Sequence, residues 1–206
     1  MNRFDINVSQ PSPHFIGSWI IDPLSICDGI IEFFETKPER HVIGVTTGAN
    51  EEDSKRTTDI SVLPRDVDTP EFLPIREYLS RLLLCYQDYS DQWPFIKDSM
   101  NKLEMGPFNI QRYEVGDHFQ AVHTERADFS SSNRALAWMT YLNDVEEGGA
   151  TSFVHYQLDV QPKAGQTLIW PVDWTHAHRG NVVTHGKKYI ITGWLLFPLK
   201  LLARKV

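Results

Sequence analysis

Cysteine is scarce in this chain: Cys27 and Cys85 are the only two in 206 residues. Cys27 lies among Ile26, Ile30 and Ile31, and Cys85 follows Leu82-Leu83-Leu84. Both are expected as reduced core residues, so no disulfide framework is expected. Long apolar runs are missing too, since no stretch approaches the roughly 20 residues of a membrane span. The opening Met1-Asn2-Arg3-Phe4-Asp5 lacks the apolar run of a signal peptide. Positive charge is in deficit, 20 Lys and Arg against 27 Asp and Glu, for a net charge of −7. Phosphate binding needs a basic face, so neither nucleic acid nor an anionic membrane is expected as a partner. These absences together predict a soluble, cytoplasmic protein of a reducing compartment. There is no internal repeat and no low-complexity tract.

What the chain does have is core-forming material, 41% hydrophobic and 12% aromatic residues. The length predicts a single domain over 1–206. Its texture divides into a mostly helical part with a loop, 1–107, and a β-rich core, 108–198. Asp22-Pro23 opens a helix with Leu24, Ile26, Cys27, Ile30, Ile31, Phe33 and Phe34, which ends before Pro38. A second helix runs from near Thr69-Pro70 to about Asp91. Phe72, Ile75, Tyr78, Leu79, Leu82, Leu83 and Tyr86 recur there at the helical period. Between them, Thr46 to Arg56 is polar and lacks apolar periodicity, the texture of a surface insertion or of a functional lid.

From Phe108 on, short strands alternate with turns. They are read at Asn109–Val115, His118–Glu125, Arg134–Leu142, Ala150–His155, Thr167–Pro171 and Lys187–Phe197. Strands at this spacing predict a sandwich, barrel or jelly roll. The fold class is therefore α+β, mainly β, with N-terminal helices packed on a jelly-roll core.

One constellation carries chemistry: His123-Thr124-Glu125, then His178, then Lys188. Strand residues at i and i+2 point to one side, so His123 and Glu125 can share a cavity. Two imidazoles and one carboxylate leave one face of a metal open, which suits non-heme Fe(II). A lysine nearby suits a dicarboxylate co-substrate that chelates the metal at its other end. With eight histidines and 27 acidic residues, a His-x-Glu triplet also arises by chance, and a surface pair is the alternative. His176 faces either the site or solvent; no metal role is expected for it, and Asp128 does not fit the same-face spacing.

The surrounding residues narrow this. Tyr113, His123-x-Glu125, Arg134, Tyr141-Leu142-Asn143 and Glu147-Gly148-Gly149-x-Thr151-x-Phe153 come in order. Val160-x-Pro162-x-x-Gly165, His178-x-Gly180, Val183, Gly186-x-Lys188-Tyr189, Thr192 and Trp194 follow. This series, Asn109 to Phe197, resembles the prolyl 4-hydroxylase branch of the Fe(II)/2-oxoglutarate dioxygenases. The resemblance implies a double-stranded β-helix, the jelly-roll variant. It implies His123, Glu125 and His178 as iron ligands and catalytic centre. It further implies that Lys188 pairs with the distal carboxylate of 2-oxoglutarate, that Thr192 and Tyr141 hydrogen-bond that carboxylate, that Tyr113 lies near the metal-bound end of the co-substrate, and that Trp194 walls the pocket. Fe(II), 2-oxoglutarate as co-substrate and ascorbate are the implied cofactors. A proline-containing peptide or protein is the implied substrate. The same chemistry on a free amino acid or other small substrate is the alternative, and an inactive jelly-roll module is another. Glu125 departs from the family's His-x-Asp, being longer by one methylene.

Overall fold

The structure is a computed structural model and describes residues 13–44, 54–100 and 102–198. Residues 46–53 of the expected lid lie outside the described residues. Eleven strands are found among them: β1 Gly17–Ile20, β2 Val42–Ile43, β3 Thr58–Val62, β4 Glu104–Tyr113, β5 Phe119–His123 and β6 Arg134–Tyr141, then β7 Thr151–Phe153, β8 Leu158–Val160, β9 Gln166–Pro171, β10 His178–Gly180 and β11 Lys188–Leu196. They form two antiparallel sheets. One has seven strands in the order β1-β9-β6-β11-β4-β3-β2, and the other has four in the order β5-β10-β7-β8. The helices are α1 Ser25–Glu35, α2 Leu73–Gln92 and α3 Pro94–Ser99.

The strands expected from Asn109 on are present with shifted ends: most are shorter, whereas β4 begins five residues earlier, at Glu104, and β9 one earlier, at Gln166. Five more are found that were not read from the sequence: β1, β2, β3, β8 and β10. Each is two to five residues long, too short for an alternating pattern to rise above chance. Their pairing comes from partners far along the chain, as β1 with β9 and β3 with β4 show.

Alternation on the large sheet separates two cores. Leu136, Trp138, Ile169, Ile191, Phe108 and Ile110 face the helices, where they meet Ile30, Phe34, Ile75, Tyr78 and Leu82. The intervening residues Ala137, Met139, Tyr141, Leu168, Trp170, Ile190 and Tyr113 face the small sheet and meet Phe153 and Val183. Burying each large apolar side chain of this kind contributes about 1.5–3 kcal/mol. On α1 the buried residues Ile26, Cys27, Ile30, Phe33 and Phe34 follow the helical period, as do Ile75, Tyr78, Leu82, Cys85 and Tyr89 on α2. Leu83, expected on the buried face of α2, is 52% exposed, because the face that meets the sheet is narrower than the apolar stripe. Cys27 and Cys85 are free and buried.

Two tight spots admit only glycine. Within the large sheet, Gly193 has no room for a side chain, since a Cβ there would lie 2.6 Å from that of Phe108 on the neighbouring strand. In the turn before β7, Gly148 and Gly149 take positive φ of 76° and 67°. A Cβ on Gly148 would collide with the Val182 carbonyl at 2.3 Å, so only glycine closes this turn.

Candidate active site

The three expected ligands converge between the sheets. His123 ends β5 and His178 begins β10, and the two are directly paired in register. Glu125 does not continue the strand as the i, i+2 argument assumed; β5 stops at His123 and Glu125 lies in a bend. The bend is fixed by the Thr124 hydroxyl, which donates to the Val172 carbonyl at 2.5 Å, and by the Arg126 N–H, which donates to the same oxygen at 3.2 Å. Thr124 thus turns away, and Glu125 still reaches the face that His123 occupies. One ligand atom from each of His123, Glu125 and His178 lies within 4.8 Å of the others.

The imidazoles are set in one tautomer. Nδ1 of His123 lies 2.8 Å from the Ala121 carbonyl, and Nδ1 of His178 lies 2.9 Å from that of His176. A carbonyl only accepts, so each Nδ1 carries the hydrogen and each Nε2 presents its lone pair to the centre. The Glu125 Oε1 lies 3.3 Å from Nε2 of His178 and 3.9 Å from Nε2 of His123. Three electron-rich atoms this close need a cation among them, either a proton or a metal ion. The donor set, two neutral imidazoles and a carboxylate with one side open, fits Fe(II). Burial pushes His123 down to about 4, helped by its neighbour His178, which keeps its ring neutral and ready to ligate. Burial alone would raise the Glu125 carboxyl. A positive charge at the imidazoles, His178 foremost, and the Trp194 N–H outweigh it and hold the group at about 2. His123 is further held by Phe119, whose ring stacks on it at 3.7 Å. His178 packs between Phe153 and Trp170.

Lys188 is 2% exposed. Its ammonium donates to the Gly149 carbonyl at 2.9 Å and sits 4.2 Å above the Tyr113 ring. Burial alone lowers its pKa to about 7, with no carboxylate among the described residues to oppose it. A buried ammonium without a counter-charge is costly, and it fits an anionic ligand that arrives later. A Cβ built on Gly180 would lie 3.8 Å from Lys188 Nζ. Gly180 is two residues beyond His178 on β10, so the cation lies roughly 7 Å along that strand from the second imidazole.

The other residues expected to meet the co-substrate have their hydroxyl protons already committed. Tyr113 donates to Gln111 Oε1 at 3.1 Å. Tyr141 donates to Thr151 Oγ1 at 2.6 Å or to the Val160 carbonyl at 3.1 Å. Thr192 donates to the Trp138 carbonyl at 3.0 Å. The direction of the Tyr113 bond is forced from behind. Gln111 Nε2 donates to Asp59 Oδ2 at 2.8 Å, which leaves its oxygen to face Tyr113. Asp59 also accepts from Thr57 at 2.6 Å and from Lys55 at 3.0 Å, all buried. Sequence reasoning missed Lys55, Asp59 and Gln111, because nothing local marks a polar residue whose partner comes from another strand. Lys55 and Arg56 close the expected lid segment, and both are anchored: Lys55 on Asp59, Arg56 on His118 through their backbones.

His176 resolves against a surface position. It is 3% exposed, its Nε2 lies 2.8 Å from the His14 carbonyl, and it serves the site through the carbonyl that holds His178. Arg134 and Trp194 contact Glu125 directly. The Arg134 guanidinium donates to the Glu125 carbonyl at 2.7 Å, and Trp194 Nε1 donates to Glu125 Oε2 at 2.8 Å.

Residues 108–196 match the family model of the 2OG-Fe(II) oxygenase superfamily. Over 114 residues the chain is 32% identical to a probable prolyl 4-hydroxylase 9 of Arabidopsis thaliana, which covers 43% of this chain and 40% of that protein. The chain thus spans about two fifths of the length of this curated relative. A prolyl 4-hydroxylase of Pseudomonas putida superposes with a TM-score of 0.66 at 14% identity, over 90% of this chain and 94% of that one. A viral collagen prolyl hydroxylase from Paramecium bursaria Chlorella virus-1, solved as a 2OG complex, gives 0.62 at 18% identity, over 88% and 95%. At these identities the two structures establish a shared fold.

Proposed function

From the premise that residues 108–196 form a 2OG-Fe(II) oxygenase core of the prolyl 4-hydroxylase-like branch, we propose that the protein hydroxylates a carbon centre, a prolyl residue of a peptide or protein. One observation supports this reading: the convergent His123–Glu125–His178 set lies one strand step, at Gly180, from a buried ammonium that no carboxylate among the described residues neutralises. His123, Glu125 and His178 would hold the iron. Bound iron supplies the oxidative decarboxylation of 2-oxoglutarate by oxygen, which yields succinate, carbon dioxide and a hydroxylated carbon, with ascorbate as the accessory reductant. The protein's own residues do the rest. Lys188 neutralises the distal carboxylate, and the Gly149 carbonyl keeps its ammonium aimed. The Tyr113 ring supports the same cation from below. Tyr141 and Thr192 shape the pocket walls. Tyr113 and Thr192 offer oxygen lone pairs rather than protons, since their hydrogens are engaged.

The substrate face is consistent with an extended peptide. Trp174 is 70% exposed and Phe129 is 93% exposed, on the turns that flank His178 and Glu125. Aromatic faces of this kind dock proline-containing chains in the polyproline conformation. The test is incubation of a proline-containing peptide library with the protein, Fe(II), 2-oxoglutarate and ascorbate, read by mass spectrometry and succinate release. A mass gain of one oxygen on proline is expected, with stoichiometric succinate. Succinate release with oxygen inserted only into free amino acids or small metabolites would replace the peptide substrate with a small one. No succinate under any condition would remove the oxygenase reading.

A further inference from the structure

The carboxylate ligand is a glutamate, and its two oxygens have separate surroundings. Oε1 faces the imidazoles, at 3.3 Å from His178 and 3.9 Å from His123. Oε2 accepts the indole N–H of Trp194 at 2.8 Å and lies 3.7 Å from Nη1 of Arg134. Arg134 is itself fixed twice. Its guanidinium lies 3.7 Å above the Trp194 ring, and Nη1 donates to the Glu125 carbonyl at 2.7 Å. Trp194 and Arg134 stand on neighbouring strands of the large sheet, β11 and β6, which are paired along their length. The clamp is therefore built into the large sheet and reaches across the gap to Glu125.

We infer that Trp194 and Arg134 are positioning residues that hold Glu125 to one-oxygen ligation. The inference rests on the iron reading above. Glutamate has one more rotatable bond than aspartate and can turn both oxygens onto one cation. An iron chelated in that way loses one of the open positions that co-substrate and oxygen require. With Oε2 engaged by an indole N–H and a guanidinium, Oε1 alone is left for the metal. The longer side chain is thereby made to act as a short one. Both partners have the chemistry for this, since the indole N–H is a donor only and the guanidinium stacks on the ring that carries it.

The experiment uses Co(II) added to the whole, metal-free protein, read by visible absorption, followed by titration of the cobalt form with 2-oxoglutarate. Absorption intensity falls as cobalt gains ligands, so the spectrum reports coordination number independently of turnover. Trp194→Phe keeps an aromatic ring beneath Arg134, of smaller area, and removes the N–H. This variant is expected to take up one cobalt per chain with weaker absorption than wild type. Its cobalt form is expected to bind 2-oxoglutarate about 10- to 100-fold more weakly, the range typical for losing a ligand's outer partner. Glu125→Asp in the Trp194→Phe background, too short to chelate while spanning the same gap, is expected to recover most of that binding. Arg134→Lys, which keeps the charge and gives up the stack, is expected to shift both readouts the same way by a smaller factor, and it serves if Trp194→Phe does not fold. Variants that match wild type in spectrum and 2-oxoglutarate binding would overturn the clamp and leave the iron reading standing. A wild type that takes up no cobalt would overturn the iron reading and the clamp with it.

Discussion

The two sheets of this protein do opposite jobs with the same backbone pairing. The large sheet is covered on both faces, by helices on one side and by the small sheet on the other. Its central strands β6, β9 and β11 are six to nine residues long and nearly free of solvent. The small sheet is made mostly of three-residue strands and has an outer face open to water, where Val122 is 53% exposed. Yet the small sheet carries both imidazoles, and the large one carries the buried cation and the groups that hold Glu125. Chemistry of this kind needs a ligand layer that solvent and substrate can reach and an anchoring layer they cannot disturb. The contrast predicts that changes in the small sheet act on metal and turnover, whereas changes in the large sheet act on co-substrate and stability.

The most severe break of that division is in the small sheet. His178→Ala removes a ligand whose Nε2 has no substitute within reach, because His176 is turned to the His14 carbonyl. Metal binding is expected to fall beyond the about 10- to 100-fold that outer partners cost. Turnover should disappear, and circular dichroism should stay at wild type. Normal succinate release by this variant would show that the triad is misassigned. The next largest effect belongs to the large sheet. Lys188→Ala leaves a dicarboxylate with no counter-charge in a buried site, a loss of about 3–5 kcal/mol. The apparent constant for 2-oxoglutarate should rise by orders of magnitude while Fe(II) affinity holds. An unchanged constant would move the anchor elsewhere, to Arg134 or Arg179.

How far the sequence could be read follows the same division. The large sheet's strands β4, β6, β9 and β11 were legible, because long strands show their alternation. On β11 the parity of Lys188, Thr192 and Trp194 could be read directly. The short strands of the small sheet were mostly hidden. His178-Arg179-Gly180 is too short to show a period, and His178 was singled out through the order of residues that resembles a family. The shared side of His123 and Glu125 was anticipated for a partly wrong reason, since a bend and not a strand delivers the carboxylate. The Lys55–Asp59–Gln111 network was invisible because its members are polar and their burial depends on strands 52 residues apart. The division into a helical part to 107 and a core from 108 remains a proposal. β3 from the earlier part pairs directly with β4 of the later one, so the two share a sheet.

A pair of core substitutions sharpens the stability side. Ile110→Ala, at a residue with no exposure on the helix-facing side of the large sheet, should cost about 2–5 kcal/mol. Val122→Ala, on the open face of the small sheet, should stay within about 0.5 kcal/mol. Urea denaturation of both variants measures the difference. Equal losses would mean that the small sheet is as tightly packed as the large one, which its short strands and exposed face argue against.

A slope with pH, smaller than the loss of co-substrate binding, tests whether the large sheet holds an uncompensated cation. Burial lowers Lys188 from 10.5 to about 7 in the folded protein. Between those values the unfolded chain keeps a proton that the folded chain has shed. Unfolding free energy therefore rises with pH across that window, by at most about 1.4 kcal/mol per pH unit. The thiols of Cys27 and Cys85, pushed up to about 11 by burial, work in the opposite sense as the pH passes their unfolded range, about 8.5. The clean measurement is thus the difference between wild type and Lys188→Met from pH 7 to about 8.5, without ligand. Lys188→Met should be the more stable at pH 7, and its advantage should shrink as the pH rises and wild type no longer carries the charge. Adding Fe(II) and 2-oxoglutarate under anaerobic conditions should flatten the wild-type slope, because the bound carboxylate restores the proton to the lysine. A difference that stays constant over the whole range would mean that the ammonium finds its counter-charge within the protein, and the argument for an anionic co-substrate would lose its electrostatic basis.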